Sequence, residues 1–268
     1  MENAQIEGFR EYLIENEKAD NTIAVYLCSL KKYFAIFSEV NKRNMIGFKQ
    51  IMLNNYSAKT AANRCVAMNQ YCDYINKPEC KVKRIKIHKQ TSVENVITVQ
   101  EYTKLLECLK DDKNEKVYWM IQFLAKTGAR VSEFIQFEQK HLQSGEVQLW
   151  TKGKIRKIYI PEDLIKASED YFDKQPNCKY MFPNRYGEKM TTRGVASAIK
   201  RCVKYGIREE VLHPHSFRHL YAIQFLKNNN NIALLADLMG HESISTTSIY
   251  LRLSSEEQKE QFNKAMNW

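Results

Sequence analysis

The 268-residue chain lacks any run of about 18 apolar residues, the length a membrane-spanning helix needs, and its N-terminus lacks the basic-then-apolar pattern of a secretory leader. The expectation is a soluble, cytoplasmic protein. Cysteine is present seven times, at positions 28, 65, 72, 80, 108, 178 and 202, but never with a C-x-x-C spacing. An odd, scattered set reads as reduced, mostly buried thiols and excludes a disulfide framework. Proline (5) and glycine (9) are sparse, and no internal repeat or low-complexity domain is visible. Acidic charge is also in deficit: 31 Asp and Glu face 41 Lys and Arg, a formal net charge of +10. That surplus suits a polyanionic partner. The apolar content of 44% is ordinary for a folded protein, and the length allows one large or two modest cores.

The hydrophobic pattern is mainly helical. Residues 4–76 read as four amphipathic helices, over 6–16, 22–38, 46–54 and 59–75, with Asp20-Asn21 capping the second and Ser57 or the turn after it starting the fourth. Val25, Leu27, Leu30, Phe34 and Phe37 recur at helical spacing and are expected in the core. Lys77-Pro78-Glu79 opens a linker in which Lys81, Lys83, Arg84, Lys86 and Lys89 alternate with Val82, Ile85 and Ile87. This is expected to be an extended segment that contacts a nucleic-acid backbone. Thr98 is expected to cap a helix starting at Val99, with Glu101 in its first turn. Beyond an apolar helical run over 117–125, alternation on both sides of a Lys-Gly-Lys turn predicts a β-hairpin, 146–150 with 155–160. Helices follow near 162–173 and 191–205, then one after His213-Pro214 that breaks at 228–231, then 232–239 stopped by Gly240, and a last one after Ser243 or Ser245.

Several residues in the second half could carry chemistry. His215 and Arg218 are three apart, on one helix face, where both can reach one bound anion. A guanidinium cannot lose its proton and its fork suits two phosphate oxygens. Tyr250 follows a Ser/Thr-rich turn, and a phenol can attack phosphorus to give a covalent intermediate. Thr127-Gly128-Ala129-Arg130 leads into a helix whose free N–H groups, with Arg130, favour an anion. Lys152 would project from the hairpin tip, positioned to give a proton to a leaving oxygen. Each has a plainer explanation: an ion pair for His215 with Arg218 or for Arg130 with Glu133, a half-buried aromatic for Tyr250, and a solvated turn for Lys152. A zinc site from His213, His215, His219 and His241 is also open, although Arg218 would stand among its ligands and no carboxylate or Cys lies at ligand spacing.

Taken together, these motifs resemble the tyrosine recombinases of the phage-integrase and Xer type, most strongly over 121–253. The resemblance implies a catalytic set of Arg130 (in G-x-R-x-S-E), Lys152, His215 and Arg218 (in the H-x-x-R-H box), His241 and the nucleophile Tyr250, with Glu133 supporting Arg130. Phe217, Leu220 and Met239 depart from the usual residues, all at packing positions. The implied fold is mainly α with a small β-sheet: a SAM-like helical core-binding domain (1–80), a basic linker (81–95) and a mixed α/β catalytic domain (96–268) ending in a tail helix near 254–268. Phe262, Ala265, Met266 and Trp268 of that tail would dock on a neighbouring protomer. Asn21-Thr22-Ile23-Ala24-Val25-Tyr26 resembles the T-x-x-x-Y signature of the first domain. DNA contacts are expected from Thr22, Tyr26, Lys31, Thr60, Asn63, Arg64, Lys83, Arg84, Lys86 and Lys154.

The implied activity is site-specific cutting and rejoining of DNA through a 3′-phosphotyrosine, with no metal and no cofactor. The implied setting is bacterial and nucleoid-associated. The partner would be double-stranded DNA with inverted-repeat core sites. The protein would be a monomer in solution and a homotetramer at synapsis, with room for accessory proteins and no membrane association. Integration and excision of a mobile element is the expected role. Xer-like dimer resolution, DNA inversion, or type IB topoisomerase-like nicking and closing are the alternatives.

Overall fold

The computed structural model describes residues 2–87, 95–151, 154–176 and 178–251, together with 263, 264 and 266. The chain divides into two compact units, Met1–Lys89 and Gln90–Trp268. The first holds helices α1 (Glu2–Glu15), α2 (Asp20–Phe34), α3 (Lys42–Asn55) and α4 (Ala58–Tyr74). Ser57 caps α4 by accepting from the Thr60 amide, and Asn41 does the same for α3 through the Asn44 amide. The expected Asp20-Asn21 cap of α2 is not formed: Ala19 is the capping residue without a side-chain bond, and Asp20 sits in the first turn. There its charge favours the positive end of the helix dipole instead.

The core of this unit is built on Phe9, Leu13, Leu30, Tyr33, Phe48, Met68 and Tyr71. Of the residues expected inside α2, Leu30 is fully buried and Leu27, Phe34 and Phe37 pack against the core, but Val25 is 48% exposed. Ile23 takes the inward position, and two residues further on is roughly 200° around a helix. The start of the basic segment is strapped to this unit. Asn69 bonds both the N–H and the C=O of Val82 at 2.9 Å, and Lys49 Nζ donates to the Lys83 carbonyl at 2.9 Å. Val82 is buried, which leaves Lys83, Arg84 and Lys86 exposed along an irregular strand of chain.

The second unit contains α5 (Val99–Asp111), α6 (Glu115–Thr127), α7 (Val131–Phe134), α8 (Lys140–Ser144), β1 (Glu146–Thr151) and β2 (Lys154–Tyr159). There follow α9 (Glu162–Asp173), α10 (Thr192–Lys200), α11 (Pro214–Asn228), α12 (Ile232–Met239) and α13 (Ile244–Thr247). Helix α6 is buried on all sides from Met120 to Ala125, as a central helix must be, and packs along α11. Phe123, Phe134, Phe172 and Phe182 form an aromatic cluster at its side, each ring burial contributing about 2–3 kcal/mol. Thr98 and Glu101 form the expected capping box at the start of α5. The helix expected over 191–205 stops at Lys200 and tightens into a 3₁₀ turn, Arg201–Tyr205, ended by Gly206 at φ +69°.

Strands β1 and β2 are antiparallel, pairing Glu146 with Tyr159 and Trp150 with Ile155. Period-two alternation buries Val147, Leu149 and Ile158, and Arg156 shares their inward face at 8% exposure. No described helix is long and apolar enough to cross a membrane.

Candidate active site

Three guanidiniums converge on the C-terminal end of α12. Gly128 ends α6 in the left-handed conformation (φ +61°), where a Cβ would collide with the Tyr221 ring, and so turns the chain into Arg130. Arg130 occupies the capping position of α7. Its amide donates to Glu133 Oε2 at 2.7 Å and its Nη1 to Glu133 Oε1 at 3.0 Å. Its Nη2 reaches across to the Gly240 carbonyl at 2.9 Å. Arg156, from β2, lies 3.3 Å by Nε from the same Glu133 carboxylate and donates to the carbonyls of Leu238 (3.2 Å) and Met239. Gly240 (φ +60°) is needed there, because a Cβ would overlap the Arg156 guanidinium.

Arg218, only 4% exposed, completes the group from α11. It donates to the carbonyls of Gly128 and, at 2.6 Å, Met239. The last carbonyls of α12, the negative end of its dipole, thus stand among three cations, two of which share the Glu133 carboxylate. The surplus of positive charge is what a phosphodiester would balance. An open cleft of about 1170 Å³, lined in part by Arg130, Glu133, Arg156, Gly240 and His241, gives access to it.

The histidines divide their tasks. His241, just past α12, receives Arg218 Nη2 at 3.2 Å on Nε2 and lies 2.7 Å by Nδ1 from Thr247 Oγ1. His213 caps α11, accepting from the Ser216 amide at 3.1 Å. His215 is exposed, its ring 6.3 Å from that of His219. His219 Nδ1 lies 2.6 Å from the hydroxyl of Tyr250, which belongs to the 3₁₀ turn Ser248–Leu251 after α13. The Tyr250 ring packs against the small cluster of Ala222, Leu235 and Met239. Among the described residues no three His, Cys, Asp or Glu converge as a metal-ligand set.

Burial, then the neighbouring Arg130 and Arg156, pushes Arg218 down to about 9, so it remains a cation at neutral pH. Burial, then Arg218, Arg130 and Arg156, brings His241 down to about 4. His219 falls to about 4 through burial, then His215, His213 and Arg218. Burial raises the Tyr250 phenol to about 12, with Arg218 opposing. At pH 7 both imidazoles are therefore neutral and the phenol keeps its proton.

Of the candidate residues, Arg130, Glu133, Arg218 and His241 meet within one hydrogen-bonded group, with Tyr250 and His219 beside it and His215 further out. Lys152, the side chain of Lys154, Lys89 and the tail helix (except 263, 264 and 266) lie outside the described residues. In the first unit Lys31, Asn63, Lys83, Arg84 and Lys86 are exposed, while Thr22, Tyr26, Thr60 and Arg64 are half-buried. Sequence reasoning missed Arg156 and placed His219 only in a zinc set. The signal for Arg156 was its inward position in the 156, 158, 160 alternation. It also missed a cationic pair on one aromatic: Lys32 Nζ lies 4.7 Å and Arg64 Cζ 4.1 Å from the Tyr56 ring centre.

A family model described as the phage integrase family matches residues 95–257. Tyrosine recombinase XerC of Leptospira interrogans is 26% identical, covering 98% of this chain and 93% of its own length. Tyrosine recombinase XerA of Pyrococcus furiosus is 27% identical over 97% of this chain and 93% of its own length. Among solved structures, the Tn1549 transposon integrase in complex with transposon right end DNA superposes with a TM-score of 0.73 at 16% identity, covering 97% of this chain and 99% of that one. A lambda integrase (75–356) dimer bound to a COC′ core site gives 0.75 at 15% identity, covering 91% and 96%. The fold is theirs, and the family match extends over more than half of the chain. This chain belongs to the phage integrase family and is a tyrosine-type site-specific recombinase, an enzyme that breaks and rejoins DNA.

Proposed function

We propose that Tyr250 attacks the scissile phosphorus held by Arg130 and Arg218, giving a 3′-phosphotyrosine, while Lys152 gives a proton to the departing 5′-oxygen. Glu133 fixes Arg130, and His215 and His241 add hydrogen bonds at the phosphate. A 5′-hydroxyl from a partner duplex then attacks the phosphotyrosine and completes the exchange. Because the bond energy is stored in the covalent intermediate, the exchange draws on no ATP, metal ion or cofactor. The observation that carries this reading is the convergence of Arg130, Arg218 and His241 on the turn at Gly240, with the only tyrosine at motif spacing beside it.

The first unit, as a core-binding domain over about 1–80, and the linker 81–95 would hold double-stranded DNA with inverted-repeat core sites, using Lys31, Asn63, Arg64, Lys83, Arg84 and Lys86. The domain from 96 onward does the chemistry. The protomers would be monomeric when free and would assemble as a tetramer at synapsis, coupled by the tail helix. Integration and excision of a mobile element is the role we assign. Likeness to the Tn1549 integrase supports it. Xer-like resolution is the second reading, favoured by XerC and XerA relatives that match nearly the whole chain.

Incubation with genomic fragments in EDTA, followed by isolation and sequencing of covalent adducts, tests the chemistry and identifies the site. Wild-type protein is expected to form adducts, and Tyr250→Phe to form none while binding the recovered site with nearly unchanged affinity. Adducts formed by the Phe variant would remove Tyr250 from the role. Sites at element ends favour integration, and one site near a replication terminus favours resolution.

A further inference from the structure

We propose that His219 is the proton acceptor for Tyr250, taking the phenol proton on Nδ1 as the hydroxyl oxygen attacks phosphorus. The proposal rests on the assignment of Tyr250 as the nucleophile. Of the three imidazoles around the site, His219 is the one in contact with the attacking atom, Nδ1 to Oη at 2.6 Å. It sits one residue after Arg218 and one turn after His215, so α11 presents a phosphate-binding cation and a base side by side. Both nitrogens of His241 are engaged: Arg218 can only donate, so Nε2 accepts and Nδ1–H is left to donate to Thr247 Oγ1. His215 stands exposed and further out.

The direction of the His219 bond follows from the two groups. The phenol is protonated at neutral pH and has a proton to donate. The imidazole is neutral, and with its proton on Nε2 it accepts through Nδ1. The groups that depress it are His213, His215 and Arg218 of its own helix, with the Tyr250 phenol facing it from the turn 248–251. A bound phosphodiester brings negative charge into this cationic field and raises the basicity of His219 when DNA is in place.

The step balances. The Oη–P bond forms, the phenol proton passes to His219 Nδ1, the P–O5′ bond breaks, and O5′ takes its proton from Lys152. On rejoining, a 5′-hydroxyl attacks phosphorus and returns its proton to the Lys152 amine, the P–Oη bond breaks, and the imidazolium returns the other proton to Oη.

The test uses the full-length protein and a duplex of the recovered core site carrying a 5′-bridging phosphorothiolate, whose leaving group needs no proton. For His219→Gln, covalent trapping at pH 7 is expected to slow on the order of 10²- to 10⁴-fold, the range of general-base contributions. Its rate should climb with hydroxide to pH 9 while the wild-type rate stays level. Added imidazole should restore His219→Ala, a readout that a merely structural role would not move. DNA affinity of both variants, and their melting temperatures with DNA, report folding; should Gln fail to fold, Asn and Ala carry the same comparison.

A His219→Gln rate equal to or above wild type would show that the contact only parks the tyrosine, and would overturn the proposal. A slow variant with neither hydroxide dependence nor imidazole rescue would overturn it as well. Either result with an inert Tyr250→Phe variant removes only the base, whereas trapping by Tyr250→Phe removes the nucleophile assignment itself.

Discussion

Arg156 is charged, 8% exposed, and inserted between Glu133 and the last turn of α12, where it contacts the carboxylate that also holds Arg130. Its Nη1 and Nη2 donate to backbone carbonyls while the buried Nε has only its ion-pair contact with Glu133, and removing one partner from such a group costs roughly 3–5 kcal/mol. Glu133 keeps Arg130 when Arg156 is lost, so Arg156→Met is expected near the lower end, about 3 kcal/mol, in urea unfolding. The turn that carries Gly240 and His241 loses its clamp, so covalent trapping should also slow. Unchanged unfolding in that variant would mean that Arg130 alone holds the turn. Residue types were legible here and contacts were not. Nothing in the spacing of 130, 133, 156 and 218 says that three guanidiniums converge on four backbone carbonyls, two of them also sharing the Glu133 carboxylate.

Element ends were read from sequence where a side chain does the capping. Thr98 and Ser57 cap as their local pattern predicts, and of the two serines read as possible starts of the last helix it is Ser243 that caps, because each bond closes within three residues. Asp20-Asn21 failed for the opposite reason: Ala19 starts α2 without a side-chain cap, so packing sets that end. At α5 the local cap and a distant residue combine, since Arg208 donates to both oxygens of Glu101 at 2.7 and 3.0 Å. That pair, ahead of the Thr98 bonds, lowers the Glu101 carboxyl from 4.5 to about 2. Because the folded value is the lower one, the stabilisation is complete above the unfolded value of 4.5 and is lost as the pH falls towards 2. It amounts to at most about 3 kcal/mol. Urea midpoints at pH 5 and pH 3 should therefore converge for Glu101→Gln relative to wild type. Equal midpoint gaps at both pH values would count against the ion pair.

For the whole molecule the governing quantity is the surplus of 41 basic over 31 acidic side chains. Phosphate contacts release counterions, so binding to the core site should weaken steeply with salt, the slope of log K against log salt falling by about 0.9 per contact removed. Replacing Lys83, Arg84 and Lys86 together by Gln should flatten that slope by roughly 2–3. An unaltered slope would exclude this exposed segment from the DNA surface. The strap by Asn69 and Lys49 holds the backbone of this segment while its charged side chains stay in solvent.

The sequence by itself determined what is local or chemical: four helices and then a mixed unit, a hairpin from period-two alternation, helix stops at glycines, and the residue types of a phosphoryl-transfer site in their order along the chain. Those follow from spacing of a few residues, where chain geometry permits few solutions. Tertiary structure alone decided that Val25 faces water, that 201–205 tightens, that Arg156 joins Arg130 and Arg218 at the end of α12, and that His219 rather than His215 or His241 meets Tyr250. Each of these depends on which helix or strand packs alongside, and on charges separated by tens of residues sharing one desolvated space, where a neighbour's field outweighs any local preference.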